Sequence, residues 1–332
     1  MPCTVIVGGF FGDEGKGKIV AYLAKKDKVD IAVRGGVGPN AGHTVVINGK
    51  KYKTRMLPSA LVSNYTKLMI GPGVLINVNV LLEEIKNFST KDRTFVDPQC
   101  GIIDSTHIDK DTSDPNLKRI GTTGTGTGPA NADRALRKAF LARDSFELSE
   151  YLQDIPNIVN SSIESGKSVL VEGTQGTFLS LYHGTYPYVT SKDVTASAIC
   201  SDVGIGPKKV SEVMVVLKAY VTRVGSGPLV GELGQEETTL KGWTEYGSVT
   251  GRLRRASPFN FELAKRSIML NSATQVALTK LDIVFPADAG KKEFNGLSPE
   301  AKKFVNKIEE EIGLKVAVIG TGQEIDHIID RK

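Results

Sequence analysis

The stretch GGFFGDEGKGKIV, residues 8–20, decides the predicted fold. An apolar run at residues 5–7 precedes it, and apolar residues at helical spacing follow its lysines. A strand, a glycine-rich turn and a helix in this order are typical of a loop that binds phosphate through backbone N–H groups and the positive end of the helix. The sequence therefore predicts an α/β protein whose first loop binds an anion.

Two features of this loop are unusual. As a G-x-x-x-x-G-K motif it runs over residues 12–18, but Ile19 follows where a Ser or Thr would hold magnesium. The loop also contains Asp13 and Glu14, and carboxylates at these positions should repel a bound phosphate. A loop that only holds phosphate explains neither the acids nor the missing hydroxyl.

Outward from this loop, short apolar runs alternate with helical patterns along the chain. Strands are predicted over residues 29–36, 67–73, 167–176, 211–223, 274–282 and 315–322. Helices are predicted over residues 15–26, 78–88, 131–142 with Asn131 as the cap, 259–270 and 298–313. The dipeptide Asn48-Gly49 predicts a hairpin turn, and the glycine- and threonine-rich residues 121–130 predict a loop.

This alternation favours an α/β fold with a large, mostly parallel central sheet flanked by helices, like that of P-loop NTPases. The sequence contains no repeat, low-complexity linker or evident boundary. We therefore expect one domain over residues 1–332.

The composition excludes several classes of protein. Hydrophobic residues make up 40% of the chain and charged residues 24%, which is ordinary for a globular protein. The net charge of +5 is mild and nowhere concentrated, so we expect no nucleic-acid partner. Three widely spaced cysteines and four scattered histidines do not favour a zinc site. Because no leader or membrane-length apolar run is present, we expect a cytoplasmic protein with no membrane partner.

Four polar or glycine-rich loops follow predicted strands, at residues 8–18, 34–44, 121–129 and 172–176. The carboxyl ends of parallel strands meet at one edge of a sheet, so these loops are expected to form one site. In the second loop, His43 follows a glycine, so little side-chain bulk is available to bury it. A lone histidine is more often structural, but a strand end beside a second glycine loop shifts the interpretation toward catalysis. Asn40 either contacts a base or phosphate or simply holds the turn.

Two further segments carry candidate ligand contacts. The strand over 274–282 ends in T-K-L-D, which resembles the N-K-x-D element that reads guanine, with Asp282 accepting from the base; a capped strand end is the alternative. The segment VTGRLRR, residues 249–255, contains three arginines that suit carboxylates or phosphates. An exposed basic loop and a nucleic-acid patch are the alternatives.

Taken together, these motifs resemble the adenylosuccinate synthetase family, and they follow one another in order from the first strand almost to the last. The matching motifs are G-D-E-G-K-G-K at 12–18, N-A-G-H-T at 40–44, G-T-T-G at 121–124, G-P-A at 128–130, E-G-x-Q-G at 172–176, G-T-Y-P-Y-V-T at 184–190, T-G-R-x-R-R at 250–255 and T-K-L-D at 279–282. The resemblance implies that the chain joins inosine monophosphate (IMP) and L-aspartate, cleaves GTP with Mg²⁺, and forms a homodimer.

The resemblance also implies an explanation for the unusual loop. Asp13 would take the N1 proton of IMP, so that O6 attacks the γ-phosphate of GTP. Asp13 would also bind Mg²⁺, together with the carbonyl oxygen of Gly42, and so replace the missing hydroxyl. His43 would be the general acid beside the departing phosphate bridge, while Lys16 neutralises phosphate charge.

The remaining site residues are carried over from the family motifs. The resemblance implies GTP contacts at Gly12, Gly15, Lys16, Gly17, Lys18, Gly42, Thr44, Arg254, Lys280, Asp282, Gly320 and Gly322. It implies contacts with IMP or aspartate at Asn40, Thr123, Arg137, Gln175, Thr190, Thr250 and Arg252, with Arg137 supplied by the partner subunit.

Three positions depart from the family pattern. Phe11 replaces a tryptophan, Val249 replaces a threonine in the aspartate loop, and Gly320 replaces a serine that contacts guanine. Three other functions stay open from the sequence: a sibling ligase acting on dGMP, a GTP-binding switch without ligase activity, and a nucleic-acid-binding protein. Asp13 and Asp282 argue against the sibling ligase.

Overall fold

The computed structural model describes residues 3–247, 249 and 251–332. Its centre is a nine-stranded sheet in the order β15-β14-β13-β10-β1-β9-β2-β5-β7. The strands, in chain order, are β1 (Cys3–Gly8), β2 (Ile31–Arg34), β3 (His43–Ile47), β4 (Lys50–Thr54), β5 (Lys67–Ile70), β6 (Leu75–Ile76), β7 (Thr94–Val96), β8 (Gly101–Ile102), β9 (Val169–Glu172), β10 (Glu212–Lys218), β11 (Tyr220–Arg223), β12 (Arg255–Pro258), β13 (Gln275–Thr279), β14 (Val316–Gly320) and β15 (Ile328–Asp330).

Helices cover both faces of this sheet. In chain order they are α1 (Lys16–Lys26), α2 (Val78–Phe88), α3 (Ser105–Ser113), α4 (Pro115–Ile120), α5 (Thr127–Ala135), α6 (Ile155–Glu164), α7 (Ala196–Asp202), α8 (Gln235–Leu240), α9 (Phe261–Asn271), α10 (Leu281–Val284) and α11 (Pro299–Ile312). Over the described residues, none of these helices is both long and apolar enough to cross a membrane.

The sheet is buried on both faces, which explains why its strands are continuous apolar runs. In β1, Val5 and Val7 join a core cluster with Val305 of α11, whereas Ile6 points to the other face and joins Leu23 of α1. β1 lies at the middle of the sheet between β10 and β9, and both pairings are parallel. The glycine-rich loop at residues 8–18 therefore starts from the central strand of the sheet.

The predicted α/β class and the mostly parallel sheet are confirmed. All the pairings in the nine-stranded sheet are parallel except that of β14 with β15. The predicted hairpin is present as β3 and β4, and Asn48 and Gly49 have φ of 50° and 77°, as a type I′ turn requires. The helix over 298–313 also has its predicted cap, because Ser298 accepts the N–H of Ala301, and Gly313 ends it.

Two predictions about elements were wrong. Residues 211–223 form two strands, since β10 stays in the main sheet and β11 leaves it to pair with β12. The helix predicted from Asn131 begins earlier, at Thr127, because Gly126 takes a left-handed φ of 77° and Pro129 is tolerated in the first turn. That helix also ends at Ala135, so Arg137 follows the helix rather than lying on it.

Candidate functional site

Loops at the carboxyl ends of β1, β2, β9, β13 and β14 surround one cavity of about 1420 Å³. This is larger than the roughly 300–1,000 Å³ that a site for a single small ligand occupies. The predicted site residues that line it are Gly12, Asp13, Gly15, Lys16, Gly17, Lys18, Asn40, Gly42, His43, Thr44, Thr123, Gln175, Thr190, Arg252, Arg254, Lys280, Asp282, Gly320 and Gly322.

Two predicted site residues are not among them. Arg137 follows α5, is exposed, and has a left-handed φ of 62°. Among the described residues no ion pair joins it to Asp133, whose carboxylate lies 3.4 Å from Nε2 of His107 instead. Thr250 lies outside the described residues. Arg137 is therefore presented to the surroundings of the chain, not to its own cavity.

The first loop depends on three left-handed residues between β1 and α1. Gly12, Asp13 and Gly15 have φ of 86°, 61° and 84°. Such values cost little for glycine but are uncommon for other residues, so the backbone holds Asp13 in a strained conformation. Helix α1 then begins at Lys16, and its N-terminus adjoins the cavity.

Glu14 holds this loop together. Its side chain is buried, and its carboxylate accepts the N–H groups of Phe10 at 3.0 Å and Gly12 at 2.8 Å. Its other oxygen pairs with Nζ of Lys16 at 2.9 Å, and that ammonium also donates to the carbonyl oxygen of Gln175. One of the two puzzling acids is thus a structural clamp whose charge is neutralised inside the protein.

Asp13 is placed differently. Its carboxylate lines the cavity, remains 26% exposed, and pairs with Nη2 of Arg254 at 2.8 Å. Desolvation raises the pKa of Asp13, opposed by the positive charges of Arg254, Lys218 and Lys16. A carboxylate with a raised pKa in a cleft suits proton transfer.

His43, the first residue of β3, belongs to a buried polar cluster. Its Nδ1 contacts a carboxylate oxygen of Glu172, Oγ of Ser59 at 3.2 Å and Nη1 of Arg34 at 3.0 Å. Because a carboxylate can only accept, we assign the Nδ1 proton to the bond with Glu172. Burial and Arg34 lower the pKa of His43 to about 4, so the free ring is neutral at pH 7 with Nε2 as the acceptor.

Lys18 occupies the position of the lysine that holds phosphate in an ordinary P-loop. Its Nζ instead donates to the carbonyl oxygens of Gly322 at 2.7 Å and His327 at 2.8 Å. Burial lowers the pKa of Lys18 to about 8. The ammonium therefore fastens the turn between β14 and β15 to α1, which the motif alone does not indicate.

We call the side of the cavity formed by Lys280, Asp282, Gly320 and Gly322 the strand wall. Lys280 directly follows β13 with φ of 61°, Asp282 lies in the first turn of α10, and Gly320 ends β14. The Oδ1 atom of Asp282 is buried and has no hydrogen-bond partner among the described residues. Such an oxygen is costly unless a ligand donates to it.

We call the side formed by Asn40, Thr123, Gln175 and Thr190 the loop wall. Nδ2 of Asn40 donates to Oγ1 of Thr190 at 3.3 Å, while Oδ1 of Asn40 is buried and unpartnered within the described part of the chain. Thr123 pairs with Oγ1 of Thr125 at 3.0 Å. Loops hold one another here, and a second buried oxygen is left for a ligand.

The three arginines of residues 249–255 do different things. Nη2 of Arg252 donates to the carbonyl oxygens of Gly121 at 2.9 Å and Thr122 at 3.1 Å, which joins two loops over the cavity. Arg254 reaches Asp13, as described above. Arg255 begins β12 and pairs with Glu232 outside the cavity, with its Nε 2.7 Å from a carboxylate oxygen.

Sequence reasoning missed two carboxylates of the site. Glu172 ends β9 and orients His43, and its place at the start of E-G-x-Q-G was a usable signal. Burial alone would raise the pKa of Glu172, but His43 and Arg34 lower it to about 2, so it stays ionised. Glu245 also lines the cavity and contacts Arg254 at 2.6 Å, and no pattern near it indicated this.

The fold and the site define an α/β protein of the nucleotide-binding type, with a glycine-rich loop, a carboxylate and an unpartnered buried oxygen around one large cavity. The family model for adenylosuccinate synthetase matches residues 5–150 and 143–291. The adenylosuccinate synthetase of Methanocaldococcus jannaschii is 54% identical over 99% of this chain and 97% of its own. That of Archaeoglobus fulgidus is 54% identical over 99% of this chain and 98% of its own.

Solved structures agree with this assignment. The fully ligated adenylosuccinate synthetase of Plasmodium falciparum superposes with a TM-score of 0.93, at 27% identity, covering 99% of both chains. A cyanophage S-2L succinoaminodeoxyadenylate synthetase, bound to dGMP and dATP, superposes with a TM-score of 0.83. The match covers 99% of this chain and 95% of the other at 24% identity, so it demonstrates only that the two proteins share a fold.

The chain belongs to the adenylosuccinate synthetase family. It is a GTP-dependent ligase that joins IMP and L-aspartate to make adenylosuccinate in AMP synthesis.

Proposed function

We propose that this ligation takes place in the cavity, with GTP on the strand wall, IMP on the loop wall and Asp13 serving both. The observation that carries the proposal is a pair of buried oxygens without partners among the described residues, one on Asp282 and one on Asn40. Each belongs to a different wall, and each suits a donor group of a purine nucleotide. The whole chain acts as one domain.

GTP is bound by the first loop and by the strand wall. Asp282 accepts from N1–H and the 2-amino group of guanine, which adenine does not offer. Lys280 packs on the nucleotide, and Arg254 and the N-terminus of α1 neutralise phosphate charge. Lys18 acts through the turn that it holds at Gly322. Backbone at Gly320 takes the place of the missing serine.

Asp13 is the base of the first step. It takes the proton from N1 of IMP, O6 then attacks the γ-phosphorus of GTP, and the bond to the bridging oxygen of GDP breaks. The product is 6-phosphoryl-IMP. The raised pKa of Asp13 matches this role, and the ion pair with Arg254 must loosen as substrates enter.

Mg²⁺ fits the oxygen donors available at this loop. Within the described part of the chain no group of three or more acidic, His or Cys side chains could hold a metal. Magnesium is commonly held by one or two carboxylates together with substrate phosphates, so a protein cage is not required. Asp13 and the carbonyl of Gly42 would hold it, and it would neutralise charge on the phosphates.

His43 is the acid for the departing GDP. Glu172 fixes the ring through Nδ1, and His43 lines the cavity, which leaves Nε2 for a phosphate oxygen. The negative charge of the triphosphate favours the imidazolium form, since an adjacent anion raises the pKa of a histidine. The proton is therefore held where charge develops on the bridging oxygen.

In the second step the amine of L-aspartate attacks C6 of the intermediate and phosphate leaves. Arg252 binds a carboxylate of aspartate and the nucleotide, and Thr250 belongs to the same loop. Thr123, Gln175 and Thr190 hold IMP. Arg137 of a second subunit binds the IMP phosphate in a homodimer, which accounts for its exposure outside its own cavity.

The test is phosphate release from GTP by the purified chain, with each substrate omitted in turn. Release that requires both IMP and aspartate, with adenylosuccinate as the product, supports the proposal. Equal activity with dGMP in place of IMP would overturn the assignment of the loop wall. GTP cleavage that needs neither substrate would contradict the whole scheme. We place the reaction in the cytoplasm, where the three free cysteines would stay reduced.

A further inference from the structure

Glu245 is surrounded by donors from three separate segments. Its carboxylate accepts from Nζ of Lys218 at 2.6 Å and from the hydroxyl of Tyr220 at 2.5 Å. It also accepts from Nη1 of Arg254 at 2.6 Å, and Nζ of Lys280 lies 3.5 Å away. Glu245 therefore ties the ends of β10 and β13 to the loop that carries Arg254.

The cationic side chains around Glu245 outnumber its single carboxylate. Lys218 is 1% exposed, and burial lowers its pKa to about 8. Burial would raise the pKa of Glu245, but Lys218 and Lys280 hold it well below its usual range. One carboxylate thus faces three cationic side chains, Lys218, Lys280 and Arg254. The carboxylate of Asp13 offsets part of this charge at Arg254, and the positive charge that remains favours an anionic ligand beside the cluster.

Arg254 is held on both its backbone and its side chain. Its N–H donates to the carbonyl oxygen of Glu245 at 2.8 Å, while Nη1 pairs with the Glu245 carboxylate. Nη2 points to Asp13, and the buried Nε has no partner among the described residues. Glu245 therefore fixes one edge of the guanidinium and leaves other donors on the cavity side.

We propose that Glu245 is a positioning residue for the nucleoside triphosphate. It sets the orientation of Arg254 and Lys280 before the ligand arrives, so that less freedom is lost when phosphate and base bind. The inference rests on the proposed function, because that function places both residues on GTP. It adds a residue that acts through other side chains and does not touch the reacting atoms.

A simpler role for Glu245 makes a different prediction. In that simpler role Glu245 is only the counter-ion that makes a buried Lys218 tolerable, since an unpaired buried charge destabilises a fold. Lys218 does not line the cavity, whereas Arg254 and Lys280 do. Replacing Lys218 by an uncharged side chain should then cancel the effect of losing Glu245, but only if charge balance is all that Glu245 supplies.

The first measurement uses the full chain with Glu245→Gln. We expect binding of a fluorescent GDP analogue to weaken about tenfold, because a neutral amide at position 245 cannot attract both Arg254 and Lys280. KM for GTP should rise similarly while kcat stays within about threefold, as expected for uniform binding. Glu232→Gln is the matched control, since it removes an acid that pairs with Arg255 outside the cavity. It should leave nucleotide affinity within about twofold of wild type.

The second measurement compares Lys218→Met with the double variant Lys218→Met/Glu245→Gln. If the double variant still binds the analogue about tenfold more weakly than Lys218→Met, Glu245 positions its other partners. Restored affinity in the double variant, or unchanged affinity in Glu245→Gln, overturns the inference. This comparison also serves if Glu245→Gln alone fails to fold. Wild-type protein that does not bind the analogue would instead overturn the proposed function.

Discussion

The two walls of the cavity are built in different ways. The strand wall stands on the ends of β13 and β14, and its side chains follow directly from buried strands. In the loop wall, Asn40, Thr123 and Thr190 lie in segments outside helices and strands. A hydrogen bond between two loops joins Asn40 to Thr190, whereas Thr123 contacts Thr125 within its own loop. All four residues of the strand wall line the cavity of one chain, whereas Arg137, for which we propose an IMP contact, lies outside that cavity. We therefore expect the strand wall to act within one chain and the proposed IMP site to be shared with a second subunit.

The largest expected effect is at the loop that serves both walls. Asp13→Ala should reduce kcat by at least a hundredfold, because general acid–base catalysis contributes roughly 10²–10⁴. The variant should remain folded, since Glu14 and not Asp13 clamps the loop. Steady-state phosphate release measures the loss, with Asp109→Ala, an exposed acid of α3, as the control. Activity above about a tenth of wild type would contradict the role given to Asp13.

The second-largest expected effect comes from replacing Asp282 in the strand wall. Asp282→Asn should lower kcat/KM for GTP by roughly 10–100-fold, since charge-assisted hydrogen bonds contribute about 1.5–3 kcal/mol. It should improve the use of xanthosine triphosphate, because an amide can donate to the 2-oxo group. The ratio of the two kcat/KM values is the measurement. An unchanged ratio would mean that Asp282 merely ends a strand.

The third effect concerns the loop wall alone. Arg137→Ala should raise KM for IMP about tenfold or more, because a bidentate, charge-assisted contact with phosphate is lost. KM for GTP should stay within about twofold, since the strand wall is untouched. Arg266→Ala, which removes an exposed arginine of α9, is the matched control. Equal increases in both KM values would erase the distinction between the walls.

The difference between local patterns and contacts formed by the fold also explains which features the sequence could predict. The α/β class, the hairpin at Asn48-Gly49 and the T-K-L-D strand end follow from local patterns, and each local pattern specifies its own element. The clamp at Glu14 has its partners within four residues, but its geometry depends on the left-handed backbone at Gly12 and Asp13, which the local pattern does not specify. The contacts of Lys18 could not be predicted, because the fold brings its acceptors at Gly322 and His327 to it from the far end of the chain. Glu245 was missed for the same reason.

The family motifs predicted more site residues than the local patterns did, but they did not predict the bounds of every element. They named nineteen site residues that line one cavity. They did not locate the ends of α5, where a left-handed Gly126 starts the helix early and Arg137 lies beyond its last turn. Whether Arg137 acts in its own chain or in another is a question of assembly, which neither a local pattern nor a single subunit answers.

Subunit mixing tests this difference between the walls most directly. Arg137→Ala and Asp13→Ala subunits are combined, and exchange is verified independently. If Arg137 acts across the interface, one of the two sites in a mixed dimer has both groups intact. Activity should then recover to about a quarter of wild type, a binomial estimate for free exchange in a closed two-fold dimer. Recovery to that level is the predicted result, and no recovery despite confirmed exchange would contradict a site shared between subunits.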